Sequence, residues 1–310
     1  MKGFFMNQLP IGLYIHVPFC AGKCPYCDFY SLSPSPDQVD RYERRMTDLL
    51  AIWGRCGRPL STVYFGGGTP SLLGAARLGR LLQAASSAFD VLPGAEITCE
   101  ANPTGVCSGF FQELHAAGFN RLSMGMQSAN QDELRLLGRK HSPEQVALAV
   151  ESARSAGFQN ISLDLMLALP HSSGENLLSS ISFAAGLQVE HISSYILKVE
   201  PGTPFAAQGI VPLEDEGAAQ QYLLCVNTLK DLGYCQYEIS NFARPGYESR
   251  HNLIYWTCQE YLGLGPGAHS FYGGRRFHSP PDLQAFILGG DTIDDGPGGD
   301  MEEFSMLNLR

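Results

Sequence analysis

Residues 14–27 read Tyr14-Ile-His-Val-Pro-Phe-Cys20-Ala-Gly-Lys-Cys24-Pro-Tyr-Cys27. Three thiols fall within eight residues, at offsets of four and three. Thiolates gathered this closely point to a metal or cluster site. Structural zinc normally takes four protein ligands, and no fourth Cys or His follows at finger-like spacing. Ferredoxin-type iron–sulfur clusters also use four cysteines. A compact set of three therefore points to a [4Fe–4S] cluster with one iron left open. The plainer alternative is three structural cysteines on a Pro-rich loop.

Upstream, Ile11–Val17 is a short apolar run between Pro10 and Pro18, which predicts a buried strand. The cysteine loop would leave its C-terminal end. In barrel-like α/β folds that end carries the chemistry. Downstream, residues 36–53 read as a helix with Asp37 near its start. Residues 62–65 read as a second strand, followed at once by Gly66-Gly67-Gly68-Thr69-Pro70. Three glycines let a backbone turn sharply and come close to a ligand. A helix follows at 74–89 and a third strand at 96–101. Glu100 ends that strand, and a carboxylate there needs a cationic or hydroxyl partner, or caps a helix with Asn102. Helix 107–117 ends at Gly118, and 121–128 is a fourth strand ending in Gln127 and Ser128. Helices follow at 130–139 and at 143–156, the latter capped by Ser142. Arg139 offers a guanidinium suited to a carboxylate, or is a plain surface charge. Residues 160–169 form a fifth strand whose one charge is Asp164, then a helix spans 175–186 and a sixth strand 191–199. Strands alternating with helices predict parallel βαβ units.

From Pro201 the pattern changes. A helix is expected at 213–232 and a strand at Tyr237–Ala243, followed by His251-Asn-Leu-Ile-Tyr-Trp256 and Tyr261-Leu-Gly-Leu-Gly-Pro-Gly-Ala-His269. Residues 290–300 are rich in Gly and Asp and read as a flexible loop. The expected organisation is a core over 1–200 and an extension over 201–310. Cys56, Cys99, Cys107, Cys225, Cys235 and Cys258 are scattered and read as mostly structural thiols.

The chain has 310 residues, 44% of them hydrophobic, enough for a large core. A net charge of −10 argues against nucleic acid and anionic membranes as main partners. Nine cysteines with three clustered fit a reducing, cytoplasmic setting. The first ten residues are too short for a signal peptide. No apolar run reaches the roughly 18 residues of a membrane span.

Cys-x3-Cys-x2-Cys after a short strand resembles the signature of the radical S-adenosylmethionine (SAM) superfamily. The fuller form, Tyr14-Ile-His-x-Pro-Phe-Cys20 … Cys24-Pro-Tyr-Cys27-Asp-Phe, is similar to the branch holding oxygen-independent coproporphyrinogen III oxidase and HemW. The resemblance covers nearly the whole chain. It implies a partial (β/α)6 TIM-like barrel, with Cys20, Cys24 and Cys27 on a [4Fe–4S] cluster. It also implies SAM held by Gly67, Gly68, Thr69, Glu100, Gln127, Arg139 and Asp164, with Tyr14 and Tyr26 lining the site. In that superfamily an electron from the cluster cleaves SAM to methionine and a 5′-deoxyadenosyl radical. His251-Asn-x-x-Tyr-Trp256 resembles the HemW motif associated with haem. This makes His251 the expected iron ligand and His269 its competitor. The implied function is haem delivery to a haem-accepting protein, with a separate electron donor. The alternatives are oxidative decarboxylation of coproporphyrinogen and another radical SAM reaction. Against the oxidase, Phe29 stands where that branch has a fourth Cys, and only 19 residues precede Cys20. Glu302–Arg310 resembles the start of a further C-terminal helical region, so the chain is expected to be truncated before it.

Overall fold

The computed structural model describes residues 9–307. Most of the segment read as too short for a signal peptide, and the last three residues of the C-terminal segment, lie outside this range. The elements run in the order β1 (Ile11–Val17), α1 (Pro36–Trp53), β2 (Leu60–Gly67), α2 (Ala75–Ala88), β3 (Val91–Ala101), α3 (Ser108–Ala116), β4 (Arg121–Gln127), α4 (Gln131–Leu136), α5 (Pro143–Ser155), β5 (Ile161–Leu167), α6 (Gly174–Gly186) and β6 (His191–Ile196). They continue with α7 (Pro204–Ala207), α8 (Asp215–Asp231), β7 (Cys235–Gln236), β8 (Asn241–Ala243), α9 (Arg250–Trp256), β9 (Tyr261–Leu264), β10 (His269–Tyr272), β11 (Arg275–His278), α10 (Leu283–Leu288), β12 (Ile293–Pro297) and α11 (Met301–Leu307). No helix among the described residues is long and apolar enough to cross a membrane.

All the strands form one sheet in the order β12-β11-β10-β9-β1-β2-β3-β4-β5-β6-β8-β7. β1 to β6 are parallel and adjacent in chain order, as expected of a partial (β/α)6 barrel. The chain beyond residue 200 extends both edges: β9 joins β1 in parallel, and β8 joins β6 antiparallel.

A parallel sheet covered on both faces usually reads as continuous apolar runs. This one alternates. On one face Leu13, Ile15, Val63, Phe65, Cys99, Leu122, Met124, Leu163 and Ile192 are buried with Met46, Leu50, Leu78, Leu81, Phe111, Val146 and Ile181 of the surrounding helices. Each such large side chain contributes roughly 1.5–3 kcal/mol. On the other face the register sets Tyr14, Tyr64, Thr98 and Arg121 side by side, with Asp164 between Gly125 and Ser193. That inner face is polar and receives α9.

Several segments differ from the sequence expectation, among them β3, which starts at Val91, and β6, which ends at Ile196. The strand expected at 237–243 is confined to Asn241–Ala243. A side-chain hydrogen bond from Asn241 to Glu238 closes a turn instead, and the Tyr237 hydroxyl is drawn inward to His191 Nε2 at 2.8 Å. The Gly/Asp-rich stretch 290–300 contains β12, which pairs with β11 and is anchored by the Arg275–Asp294 ion pair.

The loop after β2 lies directly on the segment after β1. Gly68 N donates to Val17 O at 2.9 Å, and Thr69 N to Phe19 O at 2.7 Å. A Cβ on Gly68 would lie 2.5 Å from Phe19 O, which is backbone and has nowhere to go. We expect Gly68→Ala to lower stability in urea unfolding by about 1–3 kcal/mol. At Gly186 an added Cβ meets nothing, so Gly186→Ala is the neutral control. Equal stability of the two variants would refute this packing.

Candidate functional site

At the C-terminal ends of the parallel strands lies a cleft of about 420 Å³. Cys20, Cys24, Tyr26, Cys27, Gly67, Gly68, Thr69, Glu100, Asn102, Ser123, Gln127, Arg139, Asp164, Tyr195 and Lys198 are among the residues that line it. The structure thus brings together the three cysteines and, except Tyr14, every residue assigned to SAM.

The cysteine loop is held at both ends and from the side. Cys20 N donates to Leu32 O, and Leu32 N to Pro18 O. His16 Nε2–H donates to Tyr30 O at 3.0 Å, while its Nδ1 accepts from Tyr14 OH at 3.1 Å. Pro25 O accepts from Phe205 N at 3.0 Å, and Tyr26 packs on the Phe205 ring. Burial pushes the Cys27 thiol up from its ordinary value, so bound metal would be needed to strip its proton. Thr69 Oγ1 lies 3.6 Å from Cys20 Sγ, and Arg139 Nη1 lies 3.7 Å from Cys24 Sγ, both donors toward sulfur. Among the described residues, the one trio of metal-type ligands with all ligand atoms within 4.8 Å of one another is His269, His278 and Asp295. The three cysteine sulfurs are spread wider than that. A set too open for one ion, with hydrogen-bond donors turned on it, fits a multi-iron cluster.

Arg139 reaches the cleft because α4 stops early. The helix expected over 130–139 is capped by Asn130 and ends at Leu136. Gly138 then takes φ +66°, and Arg139 N closes back on Leu134 O at 2.8 Å. The guanidinium donates to Asn102 Oδ1 at 2.8 Å and to Gly125 O at 2.6 Å. With one further N–H toward Cys24 Sγ, three of its five donors are used. The rest remain for an anion in the cleft.

Glu100 finds a hydroxyl partner: it accepts from Tyr64 OH at 2.8 Å and from Gly67 N at 3.2 Å. Burial pushes its carboxyl up to about 7, only partly offset by those two hydrogen bonds. Asp164 accepts from Ser123 Oγ at 3.2 Å, and burial also raises its carboxyl. Gln127 ends β4 at φ +68°, a left-handed conformation that costs a non-glycine residue about 1–3 kcal/mol.

Tyr14 is not brought to the cleft wall. It stands inside the barrel against His16, Tyr64 and His251. Nor is His251 presented to the cleft. It lies in the first turn of α9, 1% exposed, with its ring stacked on Tyr64 at 5.1 Å. Thr62 Oγ1 engages its Nδ1 at 2.7 Å, and Tyr255 OH its Nε2 at 2.8 Å. Burial, aided by the Arg121 charge, pushes its pKa down to about 3. A neutral ring suits an iron ligand, but neither nitrogen faces open space. His269 is exposed at the start of β10.

Sequence reasoning assigned no role to His16, which latches the cysteine loop, or to Ser123, which holds Asp164. It named Asn102 only in the plainer alternative for Glu100, helix capping, whereas Asn102 steers Arg139. A polar residue alternating with apolar neighbours, as in Tyr14-Ile-His16-Val, is the signal that could have flagged His16.

Comparison with known proteins bears on family and fold. The Radical SAM superfamily model matches residues 14–184. A protein of Mycobacterium tuberculosis described as heme chaperone HemW is 40% identical over 301 residues, 93% of this chain and 77% of that protein. The Bacillus subtilis heme chaperone HemW is 40% identical over 85% of this chain and 71% of its own length. Among solved structures, Escherichia coli coproporphyrinogen III oxidase (HemN) matches 98% of this chain and 75% of its own, with TM-score 0.84. At 23% identity that likeness speaks to fold alone.

The raised Glu100 carboxyl links stability to pH. Between pH 4.5 and about 7 the folded chain keeps a proton that the unfolded chain has lost. Stability therefore falls as pH rises across that window, by up to about 3 kcal/mol. In urea unfolding of the cluster-free protein, Glu100→Gln should remove this part of the slope. A pH-independent gap between wild type and variant would contradict it.

Proposed function

Because this chain belongs to the radical SAM superfamily and, within it, to the HemW family, we propose that it binds haem together with a [4Fe–4S] cluster and SAM and delivers the haem to an acceptor protein. The observation that carries this reading is the 40% identity to a curated haem chaperone across 93% of the chain. The oxidase reading has only fold behind it, and the position where that branch has a fourth cysteine is the exposed Phe29. The setting is the cytoplasm, where thiols stay reduced and an electron donor is at hand.

In this proposal Cys20, Cys24 and Cys27 hold the cluster. When bound, the cluster supplies the electron for reductive cleavage of SAM. Arg139 takes the SAM carboxylate in its free donors. Gly67, Gly68 and Thr69 hold the amino group, with Glu100 as its counter-charge. Asp164 takes the ribose hydroxyls. Gln127 and Tyr26 close the sides. Tyr14 acts from behind the cleft, by fixing His16 and backing Tyr64.

Haem ligation by His251 carries a conformational condition. The ring reaches iron only when the start of α9 lifts from Thr62 and Tyr64. A ligand that needs a minor conformation binds more weakly by the fraction populated. Removing a restraint on the ring then strengthens binding.

Glu100 must be ionised to hold the SAM ammonium, and burial places its carboxyl at about 7. We expect SAM affinity, read anaerobically by equilibrium dialysis, to rise with pH from 5 to about 7, approaching tenfold per unit at the acid end. It should then level off. Glu100→Gln should weaken SAM binding at least tenfold at pH 7.5 and flatten the profile. Unchanged affinity in the variant removes Glu100 from the site.

The chaperone reading is tested by anaerobic haem titration of cluster-loaded protein. We expect a saturable one-to-one absorption band, weakened in His251→Ala and strengthened in Thr62→Val, which frees the ring's Nδ1. A band unaffected by either change moves the ligand elsewhere. The absence of any saturable band overturns haem delivery.

A further inference from the structure

Away from the cleft, three ligand-type side chains converge on the far edge of the sheet. His269 on β10 stands directly opposite His278 on β11. Their imidazoles stack, with centroids 4.9 Å apart and planes at 24°. Asp295 on β12 completes the group. Its carboxylate oxygens lie 2.9 Å from His278 Nδ1, and one of them lies 3.9 Å from His269 Nδ1. All three ligand atoms fall within 4.8 Å of one another.

We propose that His269, His278 and Asp295 form a binding site for a divalent transition-metal ion of the zinc type, which clasps the three edge strands together. Two imidazoles and one carboxylate are a donor set for zinc, nickel, copper or ferrous iron, and a poor one for calcium or magnesium, which prefer oxygen. Three protein ligands leave a position for water or an external donor.

The backbone prepares this set. The β11–β12 register slips between Arg276 and Phe277: Arg276 faces Gly296 while Phe277 faces Asp294. Asp295 is thereby the extra residue of a bulge, without a cross-strand partner, and bulges re-aim side chains. Its carboxylate turns back onto His278. The nearby charges are otherwise accounted for. Arg276 pairs with Glu303 and lies over the Phe271 ring, and Arg275 pairs with Asp294. In the metal-free form His278 Nδ1–H donates to Asp295. On binding, that proton shifts through solvent to Nε2, and the Nδ1 lone pair turns to the ion.

The site also adjoins the cysteine loop. Ser279 N donates to Ala268 O, and Gly267 N to Ser279 O, tying the two histidine strands together at this end. Gly267 packs against Tyr30, whose hydroxyl accepts from Leu283 N at 2.8 Å. An ion at His269 would stiffen the edge that supports the stretch just after Cys27.

The test is zinc titration of the full, cluster-loaded chain under anaerobic conditions, in competition with a chromophoric chelator. Zinc and iron are counted after desalting. The expected result is one zinc per chain, unchanged iron content and a higher melting temperature with zinc. His278→Ala and Asp295→Asn should each weaken zinc at least tenfold and abolish the thermal shift. None of the three residues is buried, so these variants should melt with wild type when zinc is absent. No saturable zinc uptake overturns the proposal. So does stoichiometric zinc in the His269→Ala/His278→Ala double variant, or zinc uptake matched by loss of iron, which would place zinc at the cysteines.

Discussion

The constraint on which this structure depends is the polar inner face of its sheet. A buried polar group without a partner costs several kcal/mol, so a barrel lined with Tyr, Thr, Arg, Glu and Asp has to satisfy them internally or leave them for ligands. The chain does both, at opposite ends, and it also leaves Thr98 Oγ1 and Arg121 Nε buried without a hydrogen-bond partner. At the lower end Glu96 accepts the backbone N–H groups of Arg250 and His251, faces Arg121 at 4.0 Å, and so holds the start of α9 inside the barrel. His251 then satisfies Thr62 and Tyr255. At the upper end Glu100, Asp164 and Arg139 keep unused hydrogen-bonding capacity, and that is where the cysteines arrive.

The second constraint is close approach. The cysteine loop sits where it does because β1 and β2 run side by side and the turn after β2 comes within backbone hydrogen-bonding distance of Val17 and Phe19. At Gly67, with φ +113°, a Cβ would lie 2.6 Å from the His16 ring. The glycines serve the loop's packing whether or not a ligand is bound. A Gly→Ala defect in cofactor binding here has a structural component that must be separated from direct contact.

How much of this was legible in the sequence follows from the range of the contacts involved. The cysteine spacing, the glycine turn after a strand and the βαβ order are local, and the structure follows them closely. Arg139 could be read as an anion partner, but its aim depends on Gly138 ending α4 early and on Asn102, 37 residues away. The place of His251 rests on Thr62, 189 residues earlier, and no local pattern announces that contact. Tyr237 looked like strand because Tyr and Ile favour strands, yet its hydroxyl is taken by His191 and the turn follows. β12 was hidden because Asp and Gly are poor strand formers, and only its partner β11 makes it one. The period-2 alternation of Thr62-Val-Tyr-Phe65 and Arg121-Leu-Ser-Met124 was visible all along. It marks the strands as lining a polar lumen and not as sitting between two apolar layers.

The same alternation bears on how a haem-handling protein of this shape would work. A residue that fills the barrel is poorly placed to seize a large flat ligand from solution, and His251 fills the barrel. Yet its neighbours link it to the upper end: Tyr64 stacks on its ring and donates to Glu100, and Glu100 accepts from the glycine loop beside the cysteines. Any movement of α9 that frees the His251 ring also strips Tyr64 of one of its two ring neighbours, and Tyr64 is one of the two donors that steady Glu100. Occupation of the cleft, by fixing Glu100 and through it Tyr64, opposes that movement. On the proposed ligation by His251, haem uptake and cofactor binding in the cleft would be coupled through Tyr64. By thermodynamic reciprocity each would then weaken the other to the same degree.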